Sequence, residues 1–274
     1  MLSWPEPRPY PPPAGRKTAI VTGGSQGIGK ATALALALSG WNVVISGRRL
    51  EQLENTANEI NSKTMELPNK RGKTMVFQGD MTVESAVKGM FELALDAFER
   101  VDLVFVNAGA SSDDVPIQDV SIEVWQSIVN VNLTGSWLCA REAFRCMDGS
   151  RGYLGGRIIL NGSISSKTPR LYSTPYTATK HAITGLTKSL ALEGRQHNIA
   201  VSQIDIGNAR TDMTASMRAG PGAMQANGTR LQEPVFDCNY AAKEVVHIAE
   251  MPLGVNVQEV TIMATAMPSY VGRG

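Results

Sequence analysis

The sequence predicts a doubly wound α/β domain, a mostly parallel sheet of seven strands with helices on both faces. Three observations carry this expectation. From Lys17 onward, short β-branched runs alternate with longer helical patterns. The segments between successive runs are long enough to be crossover connections, which parallel neighbours require. Hydrophobic residues make up 43% of the 274 and charged residues only 19%, enough apolar material for strands buried on both faces.

The first strand is expected at Thr18–Thr22. An alanine- and leucine-rich helix, Gly29–Ser39, follows and stops at Gly40. The remaining strands are expected at Asn42–Ser46, Thr74–Gln78, Leu103–Val106, Arg157–Asn161, Ala200–Ile204 and Glu259–Met263. Helical patterns cover Glu51–Asn61, Glu84–Arg100, Ile122–Met147, Pro175–His197 and Ala241–Glu250, with a polar loop at Lys63–Lys73. Residues 17–274 then form one domain, preceded by a proline-rich arm over 1–16 whose six prolines favour an extended form. The stretch from Thr211 to Pro234 scatters Met213, Met217 and Met224 among Gly, Ala and Ser. It reads either as a substrate loop closing over a site or as a plain surface excursion.

Composition excludes several classes. Net charge is +1 with no basic run, so nucleic acid is not an expected partner. Cys139, Cys146 and Cys238 have neither metal-ligand nor disulfide spacing; they read as free thiols in a reducing, cytoplasmic setting, and no metal is expected. No apolar run approaches the roughly 20 residues of a membrane span, and the N-terminus lacks a signal-type apolar core.

Between the first strand and its helix lies Thr22-Gly23-Gly24-Ser25-Gln26-Gly27-Ile28-Gly29. Gly23 permits a sharp exit from the strand, Gly27 lets a ligand backbone approach, and Gly29 lets helix and strand pack. Ser25, Gln26 and Ile28 complete a loop that would offer a pyrophosphate the N–H groups of a helix N-terminus, as in a Rossmann-like dinucleotide site. The second strand ends Ser46-Gly47-Arg48-Arg49 with no acid. A ribose 2′-hydroxyl wants a carboxylate there, whereas a 2′-phosphate wants cations. Arg48, Arg49 and Ser46 therefore favour NADP(H), with NAD(H) as the lesser alternative. After the third strand, Asp80 is placed either to accept from the adenine amino group, with Met81 packing beside it, or to cap the next helix.

The densest chemical signal is Tyr176-Thr177-Ala178-Thr179-Lys180 at the start of a long helix. A spacing of four puts phenol and ammonium on one face. Tyrosine is a poor base at neutral pH, its ordinary pKa being about 10, and a nearby cation lowers that value. Ser163, thirteen residues before Tyr176, closes the fifth strand at the sheet edge where open α/β folds bind ligands. Asn107-Ala108-Gly109 closes the fourth strand at the same edge, and Asn132 stands as a polar group inside an apolar helix.

Together, Thr22–Gly29, Asn107–Gly109, Asn132, Ser163 and Tyr176-x-x-x-Lys180 resemble the short-chain dehydrogenase/reductase family over about residues 17–263. The resemblance implies that Tyr176 is the general acid in reduction and the base in oxidation, and that Ser163 orients the substrate oxygen. Lys180 would bind the nicotinamide ribose and depress the tyrosine pKa, Asn132 would hold a water linking Lys180 to solvent, and Asn107 and Gly109 would line the adenine-ribose side. Where the family reads Pro-Gly, this chain reads Ile206-Gly207, followed by Ala209 and then Thr211 near the nicotinamide carboxamide. The implied activity is an NADP(H)-dependent carbonyl reductase or alcohol dehydrogenase; a 3-oxoacyl thioester reductase of the same fold and a catalytically silent dinucleotide-binding scaffold are the alternatives. Ile164, Ser165, Pro169, Leu171, Tyr172, Met213 and Met217 are expected to shape the substrate pocket, with Arg170 and Arg210 the cations available to an acidic substrate. Apolar residues on more than one helix face, including Leu186, Leu190 and Leu192, imply a homo-oligomer, dimer or tetramer, and the tail Met267–Gly274 either reaches a neighbour's site or frays.

Overall fold

The structure, a computed structural model, describes residues 15–65, 72–111, 114–215 and 221–267. The proline-rich arm through residue 14, part of the polar loop, Met217 and the tail beyond Met267 lie outside the described residues.

Seven strands form one sheet: β1 (Thr18–Thr22), β2 (Asn42–Gly47), β3 (Thr74–Gln78), β4 (Leu103–Val106), β5 (Gly156–Asn161), β6 (Ile199–Ile206) and, late in the chain, β11 (Glu259–Ile262). Their order across the sheet is β11-β6-β5-β4-β1-β2-β3. Every adjacent pair is parallel. The winding reverses between β1 and β4, so their C-terminal ends flank the crevice in which open sheets of this kind bind ligands.

Side chains alternate across the sheet, as a period of two requires. Ile20, Val44, Val104, Ile158 and Val201 face α3 (Glu84–Phe98), α5 (Gly135–Met147) and α6 (Thr174–Glu193). Ala19, Val21, Val43, Ile45, Phe105 and Ile159 face α1 (Gly27–Leu38), α2 (Leu50–Met65) and α7 (Cys238–Glu250). These strand residues are essentially inaccessible; each large aliphatic or aromatic chain so buried contributes about 2 kcal/mol. Trp41 donates from Nε1 to Glu250 Oε1 at 2.6 Å, tying the start of β2 to the end of α7.

Several expected element boundaries change; α3 ends at Phe98, α6 ends at Glu193 with a 3-10 turn to His197, and α7 starts at Cys238. The helix expected over Ile122–Met147 runs through without a break but contains a π turn at Asn130–Thr134, which divides it into α4 (Ile122–Val129) and α5. Its cause is tertiary. Asn132 in that turn is held to Ala110 on the loop after β4, and Gly135 lies so close to the Met81 carbonyl that a Cβ would sit 3.0 Å from it. Strand β6 continues two residues past its expected end, because Ile206 pairs with Ile262 of β11 and buries its side chain. Helix α2 runs to Met65 rather than Asn61.

Residues 209–215 and 221–237 carry two small two-stranded sheets. Short strand β7 (Ala209–Arg210) pairs in parallel with β10 (Phe236–Asp237), and β8 (Ala223–Met224) pairs antiparallel with β9 (Arg230–Leu231). Among the described residues of Thr211–Pro234, β8 and β9 form a short hairpin, and Thr211, Met213, Thr214, Ala223, Met224 and Arg230 line a cleft.

Candidate active site

A cleft of about 650 Å³ runs along the C-terminal edge of the sheet, within the size range of small-molecule and cofactor sites. At one end is the glycine loop. Gly23, Ser25, Gln26, Gly27 and Ile28 line the cleft, and α1 begins at Gly27. Gly29 does not line it, because its role is internal. A Cβ on Gly29 would stand 2.2 Å from the Gly23 carbonyl oxygen, so any side chain would push helix and strand apart. Thr22 Oγ1 accepts from the Asn107 and Ala108 amides at 2.9 and 3.0 Å, while Asn107 Nδ2 donates to the Thr22 carbonyl at 2.9 Å. Asn107 therefore fastens β4 to the glycine loop; Ala108 and Gly109 line the cleft beside it.

Arg48 and Arg49 are exposed at the cleft's rim. Arg49 hydrogen-bonds to Gln26 Oε1 and sits 3.5 Å from Ser25 Oγ. Ser46, expected to assist them, does not reach the cleft. Alternation puts it on the Val44 face, fully buried, where its hydroxyl donates to Met81 Sδ at 3.7 Å. Asp80 lines the cleft and also organises the turn into α3, with Oδ1 accepting from Thr82 N and Oγ1 at 2.9 and 2.8 Å. The Thr82 amide, with further help from the Arg48 charge, holds its carboxyl below the ordinary value.

At the other end stand Ser163, Tyr176 and Lys180. Ser163 lies beyond β5 as the cap of a short 3-10 turn, its Oγ accepting from Ser165 N at 3.1 Å. Pro175 in the first turn of α6 sets Tyr176 and Lys180 one turn apart on the cleft face. Lys180 is buried; Nζ donates to the Asn161 carbonyl at 2.7 Å and lies 5.6 Å from the centre of the Tyr176 ring.

The electrostatics differ from the sequence expectation. Tyr176 keeps part of its surface open to the cleft, yet the protein around the ring desolvates it and raises the phenol above its ordinary value. A hydrogen bond with Ser163 and the Arg170 charge pull the other way without winning. Lys180 is not among the groups that lower it. Burial instead lowers Lys180 itself, to about 8.

Asn132 does not line the cleft. It is 1% exposed; Nδ2 donates to Ala110 O at 2.9 Å and Thr179 Oγ1 at 3.1 Å, and Oδ1 accepts from Ala110 N at 2.8 Å. It locks the loop after β4 to the helix that carries Tyr176. Gly207, Ala209 and Thr211 line the cleft where expected, with Thr211 pressed against Gly27.

Of the expected pocket residues, Ile164, Ser165 and Met213 line the cleft and Pro169, Leu171 and Tyr172 do not. Tyr172 adopts a left-handed φ of 63° and its carbonyl accepts from Val115 N at 3.2 Å, which turns this segment outward. Arg170 and Ser173 face the cleft instead. Arg170 makes a paired contact with Glu233, at 2.8 and 2.6 Å, and Asn208 and Gln225 complete a network around that carboxylate. Across the mouth, Arg230 pairs with Asp114 at 3.2 Å. The wall near Ser163 thus carries charged and hydrogen-bonded groups beside Ile164 and Met213. Glu233, Asn208, Asp114 and Arg230 gave no local signal in the sequence. Asp205 did, as an acid inside the apolar run of β6.

The geometry has counterparts among known proteins. A family model described as short chain dehydrogenase matches residues 17–222. The short chain dehydrogenase/reductase astE of Aspergillus oryzae is 35% identical over 211 residues, covering 77% of this chain and 78% of that one. The NADPH-dependent aldehyde reductase 2, chloroplastic, of Arabidopsis thaliana is 36% identical over 206 residues, covering 73% and 74%. A metagenomic short-chain oxidoreductase solved in complex with NADP superposes with a TM-score of 0.72 at 26% identity, over 90% of this chain and 96% of that one. With its parallel seven-stranded sheet and dinucleotide-binding cleft, the chain belongs to the short-chain dehydrogenase/reductase family of oxidoreductases.

Proposed function

We infer that the protein is an NADP(H)-dependent reductase of ketones or aldehydes, working in reverse as a secondary-alcohol dehydrogenase. The observation that carries this reading is the convergence of Ser163, Tyr176 and Lys180 in one cleft whose far end is a glycine loop flanked by Arg48 and Arg49, with no acid at the end of β2. The cleft fits a dinucleotide: Gly23–Ile28 offers backbone at a helix N-terminus, and Lys180, lining the other end, would hold the nicotinamide ribose. The bound nicotinamide supplies or accepts the hydride.

The chain's own residues do the rest. Ser163 Oγ, fixed by its cap position, holds the substrate oxygen. Tyr176 delivers a proton to that oxygen in reduction and removes it in oxidation. Its raised phenol keeps the proton through neutral pH, which suits the acid role and the reductive direction. Lys180 orients the ribose hydroxyls. Asn132 contributes by bracing Ala110 and Thr179. The NADP-bound solved relative and the NADPH-dependent Arabidopsis relative support this cofactor, as does Arg48, whose guanidinium can fork onto a 2′-phosphate.

The test is direct. Purified protein mixed with NADPH and a panel of ketones and aldehydes should consume cofactor, followed by absorbance. Arg48→Ala should raise the Kd for NADPH by roughly tenfold or more while leaving NADH nearly unchanged. Equal effects on both would remove the NADP(H) assignment.

A homo-oligomer is also proposed, on revised grounds. Leu190 is buried in the core and Leu186 packs against it partly buried, whereas Leu192 is exposed on α6. Further exposed apolar residues gather on α4 and α5: Ile122, Val124, Trp125 and Trp137. Light scattering on the eluted protein should give a mass that is a multiple of the monomer's, and Trp125→Glu should lower it. A monomeric mass at micromolar concentration would overturn this.

A further inference from the structure

Directly beneath Ser163 lies a carboxylate to which the proposed mechanism gives no role. Asp205 belongs to β6 and is completely buried. Its Oδ1 accepts from the Ser163 amide at 2.9 Å and from Gln203 Nε2 at 2.7 Å. Gln203 in turn accepts from Thr187 and donates to Thr184, both on α6, at 3.0 Å each. One carboxylate thus joins the strand that presents Ser163 to the helix that presents Tyr176 and Lys180. Gly162 leaves room for it: a Cβ there would stand 2.0 Å from Asp205 Oδ1. The Asn161-Gly162-Ser163 sequence is shaped around this acid.

The hydrogen bonds alone do not explain why the group is an acid. Both donors go to Oδ1, and Oδ2 is buried without a hydrogen bond among the described residues. An asparagine oxygen would accept both. What the carboxylate adds is charge, which is costly to bury; among the described residues its ion pair is with Lys167 Nζ, 3.6 Å from Oδ2 on a side chain 38% exposed. Lys167 is shared with Glu259 of β11.

We propose that Asp205 is a positioning residue of the reaction centre, fixing the Ser163 backbone, tying it through Gln203 to the helix that carries Tyr176 and Lys180, and holding a buried negative charge at that centre. The proposal rests on the reading of Tyr176 as proton donor. The charged groups around it are Lys167 and Glu259 behind the strand, and Lys180, Arg170 and its partner Glu233 on the cleft side. In agreement with the geometry, the Asp205 charge raises both the Tyr176 phenol and the Lys180 ammonium. The effect favours the reductive direction, in which Tyr176 starts protonated.

The experiment titrates Tyr176 in the full-length protein without cofactor or substrate, as the phenolate absorbance of the wild type minus that of Tyr176→Phe. The same difference is then taken in the Asp205→Asn background. The amide keeps both hydrogen bonds and removes the charge, so the Tyr176 midpoint should move to lower pH. The alkaline fall of reductive kcat/KM should move with it, leaving activity about tenfold lower at the alkaline end of the profile. An unmoved or higher midpoint overturns the proposal, because a purely structural role would lower activity at every pH alike. Should Asp205→Asn not fold, Lys167→Met decides. Loss of the counter-cation should move the midpoint to higher pH, and an unmoved or lower midpoint overturns the proposal. Absence of NADPH consumption by the wild type would overturn the reductase reading while leaving this titration able to decide on Asp205.

Discussion

Tyr176→Phe is expected to lower turnover by roughly 10² to 10⁴-fold while leaving NADPH affinity within about twofold of wild type. The substitution removes one oxygen. The ring stays, α6 keeps its proline-initiated first turn, and Lys180 still donates to the Asn161 carbonyl, so the ribose side of the cleft is undisturbed. The lost oxygen is the one that would pass a proton to the substrate. In the wild type, reduction should hold its rate through neutral pH and fall as pH passes the raised phenol value, because reduction needs the protonated form. Oxidation should rise over the same interval, because it needs the phenolate. Lys180, lowered to about 8 by burial, gives up its charge on the alkaline side as well. The checks are single-turnover kinetics in both directions across pH and fluorescence titration with NADPH. Wild-type turnover in the phenylalanine variant would end the proposed mechanism.

The parts of this site that depend on local spacing were legible in the sequence. The strands announced themselves as β-branched runs, the glycine loop stands where a strand meets a helix, and Tyr176 and Lys180 share a face because helices repeat every 3.6 residues. What stayed hidden depends on distant partners. Asn132 sits in a periodic apolar pattern that reads as unbroken helix; only its bonds to Ala110, 22 residues earlier, open the π turn. Ser46 looked available because it ends a strand, but the alternation of β2 directs it beneath Met81. The pocket wall was misread for a related reason. Leu171 and Tyr172 precede Tyr176 closely, and proximity in sequence stood in for proximity in space until the left-handed Tyr172 turned the segment outward. The residue that faces inward, Arg170, is fixed by a carboxylate 63 positions later.

That carboxylate underlies the second large effect. Arg170→Ala should destabilise the protein by about 3–5 kcal/mol and lower Tm by roughly 10 °C, because it strands a buried charge. Glu233 is inaccessible, and burial by itself would raise its carboxyl. The paired hydrogen bonds and charge of Arg170, with Gln225 and Asn208, win and hold it at about 2. A carboxyl lowered from 4.5 to about 2 on folding contributes about 3 kcal/mol of stability. The contribution is fully present above pH 4.5 and is lost as pH falls through 2. In the alanine variant the sign reverses. An unpaired buried carboxylate prefers its proton, so acidification from neutral pH towards 5 should recover part of the lost stability, where the wild type gains nothing. Lysine at the same position should rescue little, since it lacks the planar fork that meets both oxygens. The functional consequence follows from where the pair sits. Glu233 belongs to the segment that covers the cleft and Arg170 to the turn that leads into Tyr176. Cutting the tie frees the segment that carries Glu233 and leaves Ser163, Tyr176 and Lys180 in place, although it also removes a charge that pulls the Tyr176 phenol down, so at neutral pH KM for the carbonyl substrate should rise more than kcat falls. Calorimetry at neutral pH and near pH 5, with steady-state kinetics alongside, would measure both. If Arg170→Ala melted with the wild type at neutral pH, the Arg170–Glu233 pair would not be what secures this segment over the cleft.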